Sequence, residues 1–585
     1  MRLYEKIVTR LQRLFSWLTS SETTTGLALA TLVGIAAGLG AVAFRWLISN
    51  FHSLFFDGGE RVFGALGRYH VILIPVIGGL LVGLIVHFFA REAKGHGVPE
   101  VMAAVAARGG RIRSRVALVK TLASSICIGS GGSVGREGPI VQIGSSVGST
   151  VGQWFRLPED WLKTLVACGA AGGISATFNA PIAGVFFALE VILGRFITRS
   201  FGYVVVSSVV ADIVAHAFLG DEQSFLVPAY KLVAAWEIPI YAVLGIAAGV
   251  VALVFIYVLY KTEDIFDAWK FPPFLKPAVG GIFIGLIGLY SFDLFGVGYG
   301  GVEKALLGEI ALSTLLFMGL LKLVATSITI GSGGSGGVFA PSLFIGAMFG
   351  GAFGAMANRI FPTITAPSGA YAMVGMAAVF AGAARAPITS IIIFFEMTRD
   401  YDIILPLMLA VVISTIVARG FNPDTIYTTK VRKAGIDLSR YEDVDVMRSV
   451  TVASAMTRNF PTVSTEMPVS ELMSKLARSG HHGFPVVDKN GSLFGCVTLA
   501  DVEAHMTSDI ESLKVEDIAT KSLIVAFPDQ SMHEVMLKLG AKDVGRIPVV
   551  DREDRTKLLG VLRRHDIISA YRGKLKESTR RARGY

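Results

Sequence analysis

A glycine-rich stretch inside an apolar region constrains the fold of this chain more than any other feature. Residues 129–144 read Gly-Ser-Gly-Gly-Ser-Val-Gly-Arg-Glu-Gly-Pro-Ile-Val-Gln-Ile-Gly, with an Arg and a Glu among six glycines. Such a segment is a poor membrane helix, and Pro139 favours a loop that leads into the first turn of a helix. A helix that begins at bilayer depth directs free N–H groups and its positive dipole end at one point, which suits an anion. Because irregular backbone at that depth must be buried in protein or line a cavity, the stretch predicts an anion pathway.

A second copy of this stretch lies in the second half of the apolar region. Residues 322–350 match residues 120–148 without a gap at an offset of 202 (331 − 129). The matched pairs include Lys120 with Lys322, Gly129 with Gly331, Pro139 with Pro341, Gly144 with Gly346, and, at an offset of 206 (385 − 179), Asn179 with Arg385 and Glu190 with Glu396. Two halves with Gly/Pro-interrupted segments at matching positions are typical of transporters, whose binding sites lie at these interruptions. We interpret the matched glutamates as structural groups at helix ends, and the matched lysines as structural groups or weak attractors of anions.

The composition is that of an integral membrane protein. Of the 585 residues, 52% are hydrophobic and 17% are charged, and the mean hydropathy is +0.59,. The net charge of +9 is concentrated in an amphipathic N-terminal segment and in the tail at 563–583, and basic flanks predict cytoplasmic termini,. A basic tail can also bind nucleic acid, but no nucleic-acid motif accompanies it, so no such partner is expected. The three cysteines are scattered, so neither a disulfide framework nor a metal site is predicted,.

The composition changes near residue 420, and residues 440–572 form a charged, soluble region with its own internal repeat. Residues 452–507 and 515–572 each carry a strand ending in Pro-Val-Val, a turn, an apolar strand with a glycine, and an Asp that opens a helix. Two small α/β units with a shared pattern predict a paired regulatory module.

These motifs resemble the CLC family of chloride channels and proton/chloride antiporters, followed by a tandem pair of cystathionine-β-synthase (CBS) domains. Gly-Arg-Glu-Gly-Pro at 135–139, Gly-Val-Phe-Ala-Pro at 337–341 and Gly-His-Gly-Val-Pro-Glu at 95–100 match three segments of that family, and Tyr427 stands where the family places a pore tyrosine. The resemblance implies an all-α polytopic membrane protein with two inverted repeats of broken and re-entrant helices, plus a cytoplasmic α/β CBS-domain pair. It also implies a homodimer in the lipid membrane, with one anion pathway per subunit.

The resemblance divides the chain into successive domains. They are an amphipathic cytoplasmic N-terminal segment (1–24), membrane repeat 1 (25–225), membrane repeat 2 (226–430), a linker (431–450), CBS domain 1 (451–510), CBS domain 2 (511–572) and a basic tail (573–585). Two enzyme-like patterns, Gly-x-Ser-x-Gly at 131–135 and Gly-x-Gly-x-x-Gly at 331–336, lack the partner residues and the βαβ context that their chemistry needs. No enzymatic activity is therefore expected.

The resemblance implies roles for the residues around the pathway. Glu137 resembles the family's gating glutamate, whose carboxylate occupies an anion site when the pathway is closed and leaves it on protonation. A carboxylate at a helix N-terminus mimics the anion with which it competes, and protonation removes the competition. Backbone N–H groups of Val338 and Phe339, with the Tyr427 hydroxyl, would bind the ion as neutral donors that also release it. The full implied set of anion-binding residues is His96, Gly97, Arg136, Gly138, Val338, Phe339 and Tyr427.

Two positions depart from the family pattern. Position 96 is His in place of the usual Ser. Because a His can donate an N–H or carry charge, the expected substrate is chloride or another small anion. Val191 takes the position at which antiporters usually carry an internal proton-transfer glutamate, and a valine cannot relay a proton. The sequence therefore favours passive, channel-like chloride conduction gated by Glu137. Proton-coupled chloride exchange, with protons as a second substrate, is the alternative, and a membrane sensor that signals through the CBS pair is a remote one.

The CBS pair resembles modules that bind adenine nucleotides in the cleft between their repeats. In that family an Asp that follows a Ser or Thr three residues earlier binds the ribose, and Thr498 and Asp501 fit the pattern. In the second unit Asp566 is present, but Arg563 replaces the Ser or Thr and could contact a phosphate,. An adenine nucleotide is the candidate ligand, no cofactor is required, and a purely structural dimerisation module is the alternative.

Overall fold

The computed structural model describes residues 22–194, 198–220, 228, 230–398, 401–436, 447, 450–505, 512–541 and 546–582. The chain forms two compact units, a helical unit up to residue 436 and an α/β unit from residue 437. Most of the expected N-terminal segment (1–24), most of the linker (431–450) and the end of the basic tail (573–585) lie outside the described residues.

The first half of the helical unit consists of helices that differ widely in length. In chain order they are α1 (Glu22–Phe63), α2 (His70–Phe89), α3 (Val98–Ala107), α4 (Arg115–Gly129), α5 (Glu137–Trp154), α6 (Glu159–Phe178), α7 (Pro181–Phe187, continued by a π-helical turn at Ala188–Ile192) and α8 (Thr198–Leu219). Helix α1 has 42 residues, which is about twice the length that a perpendicular span needs,.

The second half repeats this arrangement. Its helices are α9 (Ile238–Ala268), α10 (Lys276–Gly288), α11 (Tyr299–Leu306), α12 (Leu312–Gly331), α13 (Phe339–Ile360), α14 (Ser368–Ala384), α15 (Pro387–Thr398), α16 (Ile404–Phe421) and α17 (Thr428–Lys433). The matched residues Asn179 and Arg385 end α6 and α14, and both adopt the left-handed conformation, with φ of 55° and 52°. The backbone therefore carries the same repeat as the sequence.

Long apolar helices alternate with short ones. Helical segments long and apolar enough to cross a membrane occur in the described chain at Glu22–Phe89, Ser200–Leu219, Ala235–Ala268, Leu312–Gly331, Phe339–Ile360 and Ile404–Phe421. Helices such as α3 and α15 are too short for a full span,. The predicted all-α membrane architecture with interrupted helices is confirmed.

Glycines bring helices of each half into close contact at matching positions. In the first half Gly144 of α5 faces Gly169 of α6, where a Cβ on Gly144 would lie 2.1 Å from the Gly169 carbonyl oxygen. In the second half Gly346 of α13 faces Gly375 of α14, where the corresponding distance would be 2.5 Å. Close approach through small residues is how helices pack where lipid supplies no hydrophobic drive between them.

The matched glutamates lie at helix ends, as their repeated positions predict. Glu190, in the π-helical turn after α7, accepts the N–H groups of Ile388 and Thr389 at the start of α15, at 3.2 and 2.8 Å. Glu396 of α15 accepts the N–H of Ala183 at the start of α7, at 2.7 Å. Each carboxylate therefore caps the free N–H groups of the helix in the other half.

The matched lysines Lys120 of α4 and Lys322 of α12 are fully buried and support equivalent loops. Lys120 Nζ donates to the carbonyl oxygen of Gly95 at 2.7 Å, and Lys322 Nζ donates to that of Gly296 at 2.8 Å. These loops lead into α3 and α11. Of the two roles considered for the lysines, the structure shows the structural one.

The second unit contains two small sheets within its described residues. Its elements are α18 (Val452–Ala455), β1 (Val463–Ser464), α19 (Val469–Ser479), β2 (Gly483–Val487), β3 (Leu493–Thr498), α20 (Leu499–Ala504), α21 (Val515–Ile518), α22 (Met532–Ala541), β4 (Arg546–Val550), β5 (Leu558–Arg563) and α23 (Arg564–Ala582). Strand β2 pairs in parallel with β1 and antiparallel with β3, and β4 pairs antiparallel with β5. Both hairpins shift register at the same place, after Val486 and after Val549, so the predicted α/β pair is confirmed.

The two repeats of this unit exchange their leading segments. Val452 of α18, the first residue of the first repeat, packs into the core of the second repeat with Val549. Val515 of α21, the first residue of the second repeat, packs into the core of the first repeat with Val486. The segment after α18 also pairs with β5, and the segment after α21 pairs with β3. Each core is therefore completed by residues from the other side of the boundary that the sequence repeat suggests.

Replacing Lys120 by Met should lower the stability of the helical unit, because the carbonyl oxygens of Ala93 and Gly95 would each lose a buried hydrogen bond and keep only the bonds from Ser335 and Gly336. At about 0.5–1.5 kcal/mol for each hydrogen bond, the loss amounts to about 1–3 kcal/mol. Thermal unfolding of the purified protein in detergent measures the effect. Lys94→Met is the matched control, since Lys94 forms an exposed ion pair with Asp267, and such pairs contribute at most about 1 kcal/mol,. Equal melting temperatures for the two variants would contradict the structural role of Lys120.

Candidate anion-binding site

Three loops, each leading into a helix, meet in the interior of the helical unit. The N–H of Gly135 donates to the carbonyl of Gly337 at 2.8 Å, and the N–H of Gly337 donates back to Gly135 at 2.6 Å. The loop before α3 joins them through the N–H of Gly95, which donates to the carbonyl of Gly334 at 2.9 Å. Helices α3, α5 and α13 therefore begin close to one another.

Glu137 is the first residue of α5, and its side chain is turned onto the start of α13. It is 1% exposed. Its Oε2 accepts the N–H of Ala340 at 3.3 Å, and the hydroxyl of Tyr299 donates to Oε1 at 3.5 Å. Gly135 makes room for this position, because a Cβ there would lie 2.1 Å from Oε2. The carboxylate thus occupies the positive end of a helix dipole, where an anion is stabilised.

His96 lies in the loop before α3 and is 1% exposed, among aromatic side chains. Its Nε2 lies 3.3 Å from the hydroxyl of Tyr260 on α9, and its ring centroid lies 5.9 Å from that of Tyr427. The Tyr260 hydroxyl donates to the carbonyl of Ile426, the residue before Tyr427. Two site residues predicted from opposite ends of the membrane region, His96 and Tyr427, are therefore neighbours.

Val338 and Phe339 form the start of α13, and both are buried. Their N–H groups have no acceptor within the helix, since the first N–H groups of any helix lack one. The Phe339 ring packs against Phe178 and Phe380, with ring centroids 5.1 and 4.3 Å apart. This packing holds the helix start beside the Glu137 carboxylate.

Gly97 and Gly138 allow the backbones of α3 and α5 to approach each other. Gly97 has a φ of 81°, a conformation that favours glycine,. A Cβ on Gly138 would lie 2.1 Å from the carbonyl oxygen of His96 and 3.0 Å from the Cα of Gly337. Both predicted glycines therefore lie where the segments around the site come together.

Arg136, the residue before Glu137, lines a cavity of about 110 Å³. Its guanidinium carbon lies 5.3 Å from the ring centroid of Tyr299, and the guanidinium donates to the carbonyl of Thr177 at 3.3 Å. His216 and Asp212 also line the cavity, with Nδ1 of His216 3.4 Å from Oδ2 of Asp212. The cavity lining thus carries both acidic and basic side chains.

Val191 is buried in the π-helical turn after α7. It offers no titratable group at the position of the family's internal proton-transfer glutamate. Both carboxylate oxygens of the adjacent Glu190 accept hydrogen bonds from the start of α15.

Tyr260, Tyr299 and Ala340 belong to the site but are not among the residues predicted from the sequence. The repeat could have revealed Tyr299, because Gly298 matches Gly97 at an offset of 201 (298 − 97) and also has a positive φ. Ala340 could have been predicted, because its N–H is the next donor after those of Val338 and Phe339 at the start of α13. Tyr260 carries no local signal, since it lies in the long apolar helix α9 and reaches the site only through tertiary packing.

Thr498 and Asp501 lie at the start of α20, where they form a capping box. Oδ2 of Asp501 accepts the main-chain N–H and the hydroxyl of Thr498, both at 2.7 Å. In the second repeat the Arg563 guanidinium donates to Asp566 at 3.0 and 2.8 Å and to the Thr457 hydroxyl at 3.2 Å. The sequence leaves Arg563 free for a phosphate, whereas in the structure it is engaged with Asp566.

The pairing with Arg563 also sets the charge state of Asp566. Burial disfavours the carboxylate, but the hydrogen bonds and positive charge of Arg563 outweigh it and hold the pKa of Asp566 below its usual value,. The same hydrogen bonds raise the pKa of Arg563. No group of three or more His, Cys, Asp or Glu side chains that could hold a metal occurs in the described part of either unit.

Comparison with known proteins places these features in a family context. The model of the voltage gated chloride channel family matches residues 78–419, and that of the CBS domain matches 452–507 and 515–573. A putative chloride channel protein, ClcB-like, of Ralstonia nicotianae is 33% identical over 422 residues, which are 71% of this chain and 98% of that protein. The H(+)/Cl(-) exchange transporter ClcA of Vibrio parahaemolyticus is 36% identical over 369 residues, which are 61% of this chain and 78% of that protein. The crystal structure of a slow cyanobacterial Cl⁻/H⁺ antiporter superposes with a TM-score of 0.65 and 27% identity, over 71% of this chain and 98% of that one.

Replacing Arg563 by Met should loosen the start of α23, because the largely buried Asp566 carboxylate would lose both guanidinium hydrogen bonds and the positive charge beside it. We expect the free energy of local opening to fall by about 1–3 kcal/mol, measured by hydrogen exchange of peptides from β5 and α23 in the full-length protein. Since the pair lowers the pKa of Asp566, its contribution is present above the usual Asp pKa and is lost as pH falls through the lowered value,.

Arg552→Met is the control for this prediction. Arg552 and Asp529 form an ion pair at 2.7 Å, but both side chains are mostly exposed, so the pair contributes at most about 1 kcal/mol,. Equal exchange rates in the Arg563 and Arg552 variants would show that the buried fork does not stabilise the helix start.

Proposed function

This chain belongs to the CLC family of anion transport proteins, and we propose that it exchanges chloride for protons across the membrane through the alternating occupancy of one site by Glu137 and an anion. The observation that carries the proposal is the position of the Glu137 carboxylate on the start of α13, with Oε2 3.3 Å from the nitrogen of Ala340. An anion bound there needs the same N–H donors and the same helix dipole. The carboxylate and the anion therefore compete.

Protonation of Glu137 would end this competition, because a neutral carboxyl group is held only weakly by the helix dipole. The protonated side chain can leave its position at the start of α13, and an anion can enter. Each return of the charged carboxylate then requires loss of the proton and departure of the anion. Chloride and protons then move in opposite directions if the proton is released on the side of the membrane opposite to the one from which it was taken up.

We infer that the anion is bound by neutral donors around the start of α13. The N–H groups of Val338 and Phe339 and the hydroxyl of Tyr427 suit this role, because such donors replace hydration water without holding the ion too tightly. His96 lies beside Tyr427, at a ring distance of 5.9 Å, and would complete the site. Arg136 lies on the side of the charged cavity and would favour the approach of an anion,.

Two of the similar proteins support exchange over passive conduction, whereas the Ralstonia nicotianae relative is named a putative chloride channel protein. The Vibrio parahaemolyticus relative is named an H(+)/Cl(-) exchange transporter, and the cyanobacterial structure is that of a Cl⁻/H⁺ antiporter. Channel-like conduction, which the sequence alone favours, remains the second candidate because of Val191. With valine at that position and Glu190 bound to α15, no internal glutamate is available at this place to supply Glu137 with protons.

We also propose a homodimer with one pathway per subunit, and cytoplasmic termini. The dimer is implied by the family resemblance. The orientation is supported by basic residues near both ends of the chain, since basic flanks of membrane segments usually face the cytoplasm,.

Simultaneous flux measurements test the transport proposal. In liposomes that contain the purified protein, a chloride gradient at clamped voltage should drive protons uphill at a fixed ratio to chloride. In Glu137→Gln chloride movement should persist and proton movement should cease, because a neutral amide cannot carry a proton. Chloride and proton electrodes record both fluxes.

Chloride flux without uphill proton movement in the unmodified protein would select the channel-like candidate. No anion flux in either protein would contradict the anion pathway itself. Asp529→Asn, an exposed substitution in the soluble unit, is the control for reconstitution efficiency.

We further propose that the CBS pair binds an adenine nucleotide through its first repeat. Thr498 is exposed, and the Asp501 side chain beside it is only partly buried, so both can reach a ligand. Asp566 is already bound by Arg563 in the second repeat, which leaves the first repeat as the one with an accessible Thr and Asp. A purely structural dimerisation module is the alternative.

Asp501→Asn should weaken the binding of ATP to the full-length protein by roughly tenfold or more, because a carboxylate that accepts hydrogen bonds from a ribose is lost. Equilibrium dialysis with labelled ATP measures the effect. Asp566→Asn is the matched variant in the second repeat and should change ATP binding little. No saturable ATP binding in the unmodified protein would favour the structural alternative.

A further inference from the structure

The imidazole of His96 has a hydrogen-bonding pattern that limits how it can meet an anion. Its Nδ1 is buried and has no hydrogen-bond partner among the described residues. Its Nε2 lies 3.3 Å from the hydroxyl oxygen of Tyr260. A buried polar atom is normally paired, so the unpaired Nδ1 indicates a partner that the described residues do not supply.

The hydroxyl hydrogen of Tyr260 is already engaged. The hydroxyl lies 2.5 Å from the carbonyl oxygen of Ile426, and a carbonyl oxygen can only accept a hydrogen bond,. Tyr260 therefore donates to Ile426, and its oxygen can only accept from His96. It follows that Nε2 of His96 carries a hydrogen and donates it to Tyr260.

A neutral His96 in this tautomer has only a lone pair at Nδ1. A lone pair repels an anion. The imidazolium form has a hydrogen on both ring nitrogens, so it keeps the bond to Tyr260 and presents a charged N–H donor at Nδ1. A serine hydroxyl can donate at any ordinary pH, whereas His96 can donate from Nδ1 only after it takes up a proton.

The charged groups around His96 oppose that proton when no anion is present. Lys120 of α4 donates to the carbonyl of Gly95, and Nζ of Lys430 lies 2.6 Å from the position of a Cβ on Gly95. Lys430 pairs with Glu263 of α9 at 3.1 Å, so the carboxylate offsets the charge of Lys430. This pair does not offset the charge of Lys120. From other elements, two tyrosines also face the imidazole: the Tyr260 hydroxyl lies 3.3 Å from Nε2, and the Tyr427 ring centroid lies 5.9 Å from that of His96. A bound anion would offset the positive charge and stabilise the imidazolium.

We propose that an anion at this site binds together with a proton on His96, so that the site takes up close to one proton for each chloride. This inference rests on the proposed anion pathway, but it holds for exchange and for passive conduction alike. The proton comes from water and adds to Nδ1, and no covalent bond to the anion forms. His96 thereby determines which conditions allow binding: chloride affinity falls as pH rises, by up to about tenfold per pH unit.

Calorimetric titration of the purified full-length protein with chloride, in buffers of different ionisation enthalpy between about pH 6 and pH 9, measures the linked protons. Glu137→Gln serves as the background, because Glu137 itself competes with the anion in a pH-dependent way. In this background we expect proton uptake to approach one per chloride at high pH. Adding His96→Ser or His96→Asn should reduce the uptake to near zero and flatten the pH dependence, because neither side chain titrates in this range.

Tyr260→Phe in the same background tests the role of the tautomer. Without the hydroxyl, the hydrogen of a neutral His96 can move to Nδ1 and be donated to chloride with no proton taken up. The uptake should then fall well below one, and chloride should bind more tightly near pH 9 than it does to Glu137→Gln alone. Unchanged uptake in this variant would overturn the proposed positioning role of Tyr260.

Two outcomes would overturn the proposal while leaving the anion site in place: chloride binding to Glu137→Gln without proton uptake, or uptake that persists in both His96 variants. Absence of chloride binding to Glu137→Gln would instead overturn the anion site, and the inference about His96 with it. The failure of the inference is therefore distinguishable from the failure of the proposed function.

Discussion

The reciprocal hydrogen bonds between Gly135 and Gly337 are the interaction on which the arrangement of the helical unit depends. They join the irregular backbone before α5 to the irregular backbone before α13. Such backbone is tolerated at membrane depth only when its polar groups find partners in protein, and here each loop supplies the partners of the other. As a result, the starts of two helices from different halves lie side by side, and the Glu137 side chain of one helix accepts the N–H of Ala340 in the other.

The features that could be predicted from the sequence are those that occur in both copies of the internal repeat. The interruption at 129–136 and its copy before α13 mark the two helix starts, and the matched glutamates mark the two helix ends that they cap. Hydropathy and the Gly/Pro breaks then predict a membrane fold of interrupted helices. These features can be recognised in the sequence because each depends on local chemistry, namely a glycine that permits close approach or a carboxylate that caps free N–H groups.

The remaining features depend on tertiary packing, which leaves no local pattern. Tyr260 lies in a long apolar helix, and only the fold brings its hydroxyl between His96 and Ile426. The sequence also does not reveal the exchange of leading segments in the second unit. Val452 and Val515 occupy matching positions in the repeat, whether each packs into its own core or into the other one. The charge pairing of Arg563 with Asp566 also needs the structure, since the sequence alone shows only an Arg three residues before an Asp.

Glu190 caps the start of α15 and Glu396 caps the start of α7, and this mutual capping has a consequence for the synthesis of the chain. The main-chain donor at Ile388 lies 198 residues after Glu190 in the sequence. At about 5–20 residues per second, translation needs about 10–40 s to cover that interval. Throughout this time the Glu190 carboxylate and the N-terminal amides of α7 lack the partners that the second half supplies. The nascent first half is therefore an incomplete intermediate, and its maturation is timed by the arrival of the second.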